Sequence, residues 1–300
     1  MKYVITGGAG FIGSYIVKLL VKKGHTVIII DNLHTGSLSR LKEVKDKIIF
    51  HNIDIRNYEK LKNIIKDVDG IFHQAALTIV PESFLKPDEY FDVNVNGTKN
   101  IFIIAKKLGI KVVFASSSSI YGDVKKVPIK ENFEKNPINP YGKTKVEKEK
   151  LAEKFWNEGV NIIGLRYFNV YGIGQTGTYA GVITQFMKKI DNNLPPIIHG
   201  KGNQIRDFIA VEDVAKANLM SMESSTNQNF VNIGTGKSIS ILELAKMMIK
   251  ISSKNLSPSF DDELPGDIEK SQADITMSKE KIEWMYNIEL IDGLKKLMSK

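Results

Sequence analysis

Nine residues near the start of the chain, ITGGAGFIG from Ile5 to Gly13, constrain its fold more than any other feature. They follow the apolar run KYVIT and open a segment that carries Phe11, Ile12, Tyr15, Ile16, Leu19 and Leu20 on one helical face. The glycines read as Gly7-x-x-Gly10-x-x-Gly13 or as Gly8-x-Gly10-x-x-Gly13. In either reading the backbone turns tightly and leaves room for a pyrophosphate at the helix N-terminus, whose unpaired N–H groups and dipole favour an anion. Asp31 ends the next apolar run, HTVIII. A carboxylate there accepts ribose hydroxyls and repels a 2′-phosphate, so the pattern points to NAD rather than NADP.

Apolar runs alternate with helical patterns through roughly 170 residues: KIIFHNID, GIFHQAA, KVVFASS and NIIGLRYFNV, with a helix near Asn57 to Lys66, a long one from Asp88 to Leu108 and another from about Tyr141. This predicts an α/β protein with a Rossmann-type doubly wound parallel sheet. Beyond Tyr171 the strands shorten and Gly and Pro punctuate the chain, so residues 1–171 are expected to form the nucleotide domain and 172–300 a smaller α/β substrate-binding domain, with some later segments returning to the first. Ser240, three residues before Glu243, has the form of a capping box opening a helix.

Composition narrows the function. There is no cysteine, which excludes disulfides, thiolate zinc sites and a cysteine nucleophile. Of 42 basic residues only four are arginine, at positions 40, 56, 166 and 206, and the net charge of +8 is spread along the chain. That describes a solvated lysine-rich surface rather than a nucleic-acid site. Met1 runs directly into the first strand pattern, and no apolar run approaches the roughly 18 residues that span a bilayer. A cytoplasmic chain without membrane or nucleic-acid partners is the expectation, and no metal site is expected.

Tyr141 and Lys145 stand four apart, which puts both on one face of a helix. Tyr58/Lys62 and Tyr121/Lys125 share that spacing, so position must discriminate. Only Tyr141 follows a proline at a helix start, in NPYGKTK, where it can face the mouth of the sheet.

With GGAGFIG, DNL, HQAA, NVNGT, SSSSIYG, PYGKTK and LRYFNVYG in this order, the chain resembles the extended short-chain dehydrogenase/reductase family, and within it the NAD-dependent epimerases and dehydratases of nucleotide sugars. The resemblance runs from about Lys2 to Asp274. It implies a 4-epimerase of UDP-hexoses that oxidises carbon 4 transiently to a 4-keto sugar and returns the hydride to either face. It implies Ser117, four residues before Tyr121, as the catalytic serine, with Tyr141 as the base and Lys145 as its cationic support. Strand alternation places Ser119 on the side of Ser117, and Ser116 and Ser118 on the other.

The same resemblance assigns NAD to Gly7, Gly10, Phe11, Ile12 and Gly13 at the turn, and to Asp31, Asn32, Leu33, Thr35 and Gly36 after the second strand. It adds Asp54, Ile55, Gln74, Ala75 and Ala76 after the next two, then Asn94, Ser116, Tyr141, Lys145 and Phe168. For the UDP-sugar it implies Ser117, Ser119, Tyr141, Asn169, Val182, Ile197, His199, Arg206 and Ser271, whereas Arg166 reads as structural. A second diphosphate arginine of the family is replaced here by Leu264. Ser271 stands where strict hexose epimerases carry a bulky tyrosine, so N-acetylated sugars are expected to fit as well.

A 4,6-dehydratase would need an Asp-Glu pair after the serine, where this chain has Ser118 and Ser119. A decarboxylase or an epimerase of another nucleotide remains open, as does a non-catalytic NAD-sensing or RNA-binding member. The helices from Asp88 to Leu108 and from Tyr141 to Asn157 resemble those that pair across a two-fold axis in this family, which implies a homodimer.

Overall fold

The computed structural model describes residues 1–175, 181–263 and 268–299. The chain begins β1 Lys2–Thr6, α1 Phe11–Lys22, β2 Thr26–Asp31, β3 Ile48–Asn52, α2 Tyr58–Ile64 and β4 Gly70–His73. It continues α3 Val80–Leu85, α4 Pro87–Phe91, α5 Gly97–Leu108, β5 Lys111–Ser117, α6 Pro140–Asn157 and β6 Ile162–Tyr167. The strands form one parallel sheet in the order β3-β2-β1-β4-β5-β6, extended past β6 by Gln228–Ile233. This is a Rossmann-type α/β fold. The strand order reverses between β1 and β4, so the carboxyl ends of those strands open the crevice in which such sheets bind ligands.

Helices cover both faces of the sheet, which is why its strands are almost continuously apolar. In β1, Tyr3 and Ile5 join Ile16, Val17 and Leu20 of α1 in one core. Val4, between them, points to the other face and packs with Ile101 and Phe102 of α5. The helix Val211–Glu223 lies beside α1 on the first face.

The stretch from Asp88 to Leu108 is not one α-helix. A single π turn, Asp92–Asn96, separates α4 from α5. The turn swings the Asn94 side chain inward, where its amide nitrogen donates to the Leu77 carbonyl at 2.9 Å and the Thr144 hydroxyl at 3.0 Å. A π turn of this kind re-aims one residue without breaking the helix.

Beyond Tyr171 a separate apolar cluster gathers Ile183, Phe186, Ile198, Leu244, Met248 and Leu294. The helices Val182–Asp191, Ile241–Ser252 and Leu290–Met298 carry it, and the Ser240/Glu243 capping box opens the second of them. Short strands border the cluster: Ile197–His199 pairs with Ser259–Asp261, and Ile205–Arg206 lies between Ile239–Ser240 and Lys270–Ser271. Among the described residues no helix is long and apolar enough to cross a membrane.

Candidate active site

A cavity of about 590 Å³ opens at the carboxyl ends of β1, β2, β4 and β5. The glycine turn forms one wall, and its geometry selects the reading that starts at Gly7. Gly7 has φ +70°, and a Cβ there would lie 2.6 Å from the Ala75 nitrogen. A Cβ on Gly13 would collide with the Gly7 carbonyl. Gly8 instead backs onto Ile29 in the core and does not face the cavity. Gly10 caps α1 without a side-chain hydrogen bond, and the first turn of α1 holds no acidic residue. The N–H groups there remain available to an anion.

Asp31 is buried beside that turn and accepts hydrogen bonds from the Ala9 nitrogen at 2.9 Å and the Leu33 nitrogen at 2.8 Å. Burial raises the Asp31 pKa, while those two backbone donors and the Arg40 charge oppose the rise. A closely approachable backbone, an open helix N-terminus and a carboxylate at the next strand tip fit a dinucleotide. Asn32, Thr35, Gly36, Asp54, Ile55, Gln74, Ala75, Ala76 and Phe168 also line the cavity, as do Phe11 and Ile12.

Ser117, Tyr141 and Lys145 meet at the inner end. Asn139 caps α6 by accepting from the Gly142 nitrogen at 2.8 Å, and Pro140 follows it, so Tyr141 falls in the first turn. Ser117 and Tyr141 line the same stretch of the cavity, and the Lys145 ammonium lies 5.4 Å from the centre of the Tyr141 ring. Burial pushes the Tyr141 pKa up to about 12, with the Ser117 side chain acting to lower it. Burial likewise pushes Lys145 down to about 8, with the Glu149 charge opposing. Bringing Tyr141 to ionise near pH 7 therefore takes about 7 kcal/mol of preferential phenolate stabilisation. The other two tyrosine–lysine pairs face elsewhere: the Tyr121 hydroxyl donates to Asn232, and Tyr58 is held by Lys107.

Beneath this triad lies a buried charge network. Arg166 grips Glu149 with two bonds of 2.9 and 2.8 Å, and the Ser116 hydroxyl donates to the same carboxylate at 2.7 Å. Lys135 approaches it at 2.9 Å. Ser116 thus borders the cavity while its side chain is committed to α6. Lys145 donates to the Ala115 carbonyl at 2.9 Å, and Lys148 reaches the same oxygen at 3.5 Å.

Lys148 is 0 % exposed and packs over the Phe114 ring, a lysine that composition alone assigns to the solvated surface. Burial, then the Lys145 charge, holds its pKa well below the usual lysine range. The folded chain holds that proton less tightly than the unfolded chain, so stability rises with pH toward about 10.4. Lys148→Met removes both the desolvated amine and that slope. Thermal melts should show the variant about 2–4 °C more stable at pH 7, the advantage closing toward pH 10. A variant that melts below the parent at pH 7 with an unchanged slope contradicts this.

Several expected contacts fall outside the cavity. Leu33 turns its side chain into the core, because its backbone, at φ +59°, is fixed by the bond to Asp31. Asn94 is committed to Leu77 and Thr144. Ser119 does not share the face of Ser117, because β5 ends at Ser117 and Ser118–Ile120 is a 3-10 turn. The Ser117 hydroxyl caps that turn, accepting from the Ser119 nitrogen at 3.2 Å, and the Ser119 hydroxyl is buried without a partner.

Of the residues expected to hold a UDP-sugar, Ser117 and Tyr141 line the cavity, whereas Asn169, Val182, Ile197, His199, Arg206 and Ser271 lie on short strands and the second cluster rather than on its walls. Asn169 donates to the Asp207 carbonyl at 3.1 Å, and the His199 ring lies 3.2 Å from the Asp262 carbonyl. Arg206 and Ser271 are paired neighbours on adjacent strands. Val182 starts its helix, and Ile197 starts the strand that ends at His199. Leu264 lies outside the described residues. Among the cavity residues that spacing did not indicate are Arg40, Thr78, Ile79 and Tyr167. Tyr167 is tied to Gln74 and Asn218, which no local pattern announces.

Comparison with known proteins agrees with this geometry. Residues 3–234 match the NAD dependent epimerase/dehydratase family. A Methanocaldococcus jannaschii protein provisionally named UDP-glucose 4-epimerase is 40% identical over 302 residues, 99% of this chain and 97% of that relative. A UDP-N-acetylglucosamine 4-epimerase from Methanobrevibacter ruminantium, solved with UDP-N-acetylmuramic acid, superposes with TM-score 0.95 at 36% identity, covering 99% of this chain and 97% of that one. A Thermotoga maritima UDP-glucose 4-epimerase, solved with UDP-glucose, gives TM-score 0.95 at 34% identity, covering 100% and 98%.

Proposed function

The chain belongs to the NAD dependent epimerase/dehydratase family, and from that premise we propose that it is an NAD-dependent 4-epimerase of UDP-hexoses. The observation that carries this reading is the placement of Ser117, Tyr141 and Lys145 together on the wall of the cavity that the glycine turn and Asp31 also line. Tyr141 as phenolate takes the proton of the sugar 4-hydroxyl, and Ser117 holds the same oxygen and relays the proton. Lys145, the nearest cation to the Tyr141 ring on α6, supplies charge of the sign that favours the phenolate. NAD, when bound, supplies the hydride acceptor at carbon 4 and a positive ring that adds to the same stabilisation. Ser118 and Ser119 have no neutral-pH acid–base chemistry with which to eliminate water, which argues against a dehydratase.

In this reading residues 172–300, with Asn169 just before them, form the nucleotide-holding part of the UDP-sugar site. Asn169, Val182, Ile197, His199 and Arg206 hold the nucleotide and its diphosphate, where an arginine fork suits phosphate. Ser271, small and beside Arg206, leaves room for a 2-acetamido group, so UDP-N-acetylglucosamine and UDP-N-acetylgalactosamine are substrates together with UDP-glucose and UDP-galactose. Ser271→Tyr tests this. The ratio of kcat/KM for the acetylated over the plain sugar should fall about tenfold or more, and an unchanged ratio removes Ser271 as the determinant. The proposal extends to a homodimer through α4, α5 and α6, supported by the exposed apolar residues Phe91 on α4 and Leu108 on α5 and by Phe84 and Leu85 on the adjoining α3.

A further inference from the structure

Arg40 sits on the 3-10 segment Leu38–Lys47 that follows the Asp31 loop, and it reaches three backbone segments at once. Its Nη1 donates to the Ala9 carbonyl in the glycine turn and to the Thr35 carbonyl in the loop after β2, both at 3.4 Å. Its Nε and Nη2 donate to the Gly174 carbonyl at 3.4 and 3.3 Å, 134 residues away in sequence. The Tyr15 hydroxyl, on α1, donates to the neighbouring Ile173 carbonyl at 2.9 Å. Arg40, the glycine turn, the Thr35 loop and Gln175 all line the one cavity.

A planar fork of five donors on three nitrogens reaches carbonyls set apart on different segments, whereas the three donors of an ammonium all radiate from one nitrogen. Bonds of 3.3–3.4 Å lie at the long end for N–H to oxygen, so each is weak and can part. Their sum joins the walls on the adenosine and diphosphate side of the cavity, and the guanidinium places positive charge near the open N-terminus of α1. From this arrangement we infer that Arg40, assisted by Tyr15, is a clasp that retains the dinucleotide by holding the Gly174 segment across to the glycine turn and the Thr35 loop. It is a positioning residue for cofactor retention, acting through backbone it holds. A tightly kept NAD suits a reaction that returns its hydride in each cycle. The inference rests on NAD use and not on the identity of the sugar, so its test contains no sugar.

The experiment loads the purified protein with labelled NAD, chases with excess unlabelled NAD, and reads the release rate for the parent, Arg40→Ala, Arg40→Lys and Tyr15→Phe. Melting temperatures with and without NAD accompany each. Arg40→Ala should release NAD at least about tenfold faster, a loss of about 1.4 kcal/mol of binding, with the NAD-free protein melting within about 2 °C of the parent. Arg40→Lys should also release faster, because it keeps the charge and loses the fork. Tyr15→Phe should do so more mildly, and it carries the test if Arg40→Ala does not fold. Release from Arg40→Ala at the parent rate overturns the inference. So does parent-like release from Arg40→Lys, or equal drops in melting temperature with and without NAD.

Discussion

Tyr141→Phe lowers turnover about 10³-fold and leaves NAD bound. A positioned acid–base group contributes about 10²–10⁴ in rate, and here the phenol lines the cavity with Ser117 and Lys145. Ser117 alone can hold the sugar oxygen but is a far weaker base. In the proposed site the glycine turn and Asp31 hold the adenosine half of NAD, so the variant should keep it. The sign of the pH dependence follows: burial holds Tyr141 at about 12 in the protein without NAD, so activity rises with pH through its lowered pKa in the loaded site, and the variant loses that limb. Steady-state rates from pH 5 to 9, with bound NAD measured on the same samples, check both. Near-parent turnover in Tyr141→Phe removes the phenol from the chemistry.

Glu149→Leu produces the largest loss of stability. Burial alone would raise the Glu149 pKa, yet Arg166, Lys135 and Ser116 hold it below the usual carboxylate range. Its removal leaves the Arg166 guanidinium buried against Tyr121 without its carboxylate. Breaking one partner out of such a pair costs about 3–5 kcal/mol, which lowers the melting temperature by about 6–20 °C in a chain of this size. The damage reaches the active site, because Glu149 ties α6, which carries Tyr141 and Lys145, to Ser116 on the strand that ends at Ser117. Calorimetry of Glu149→Leu and of Glu149→Leu with Arg166→Met checks the cause. The double variant should recover part of the loss, since it removes both charges, and a single variant melting within about 2 °C of the parent contradicts the account.

The parts of the site that sequence reveals are those written in local spacing. Glycines before a helix and an aspartate at the next strand tip are dictated by the backbone that carries them, so Gly7, Gly10, Gly13 and Asp31 fall where the pattern puts them. Tyr141 was separable from Tyr58 and Tyr121 because a proline and a capping asparagine mark its helix start. Positions set by tertiary structure were not legible. Strand alternation fails at Ser119 because the strand stops two residues earlier. Asn94 is redirected by a π turn that periodicity cannot distinguish from regular helix. Lys148 reads as one more surface lysine until α6 is seen packed on β5. The seventh strand, Gln228–Ile233, is masked by Asn229 and Asn232, the latter buried because it bonds Tyr121 and Ile129. Arg40 gives no signal at all, since its partners are backbone carbonyls 5, 31 and 134 residues away.

The central claim is a redox-neutral inversion at carbon 4 on retained NAD. It is tested most directly by incubating the purified protein, without added NAD, with UDP-galactose in deuterated buffer and following the anomeric and H4 proton resonances by NMR. The account predicts a second anomeric signal from the 4-epimer, with the proton at carbon 4 retained because the same hydride returns. No new signal even after NAD is supplied, or a product that has taken up deuterium at carbon 4 or carbon 5, would contradict it.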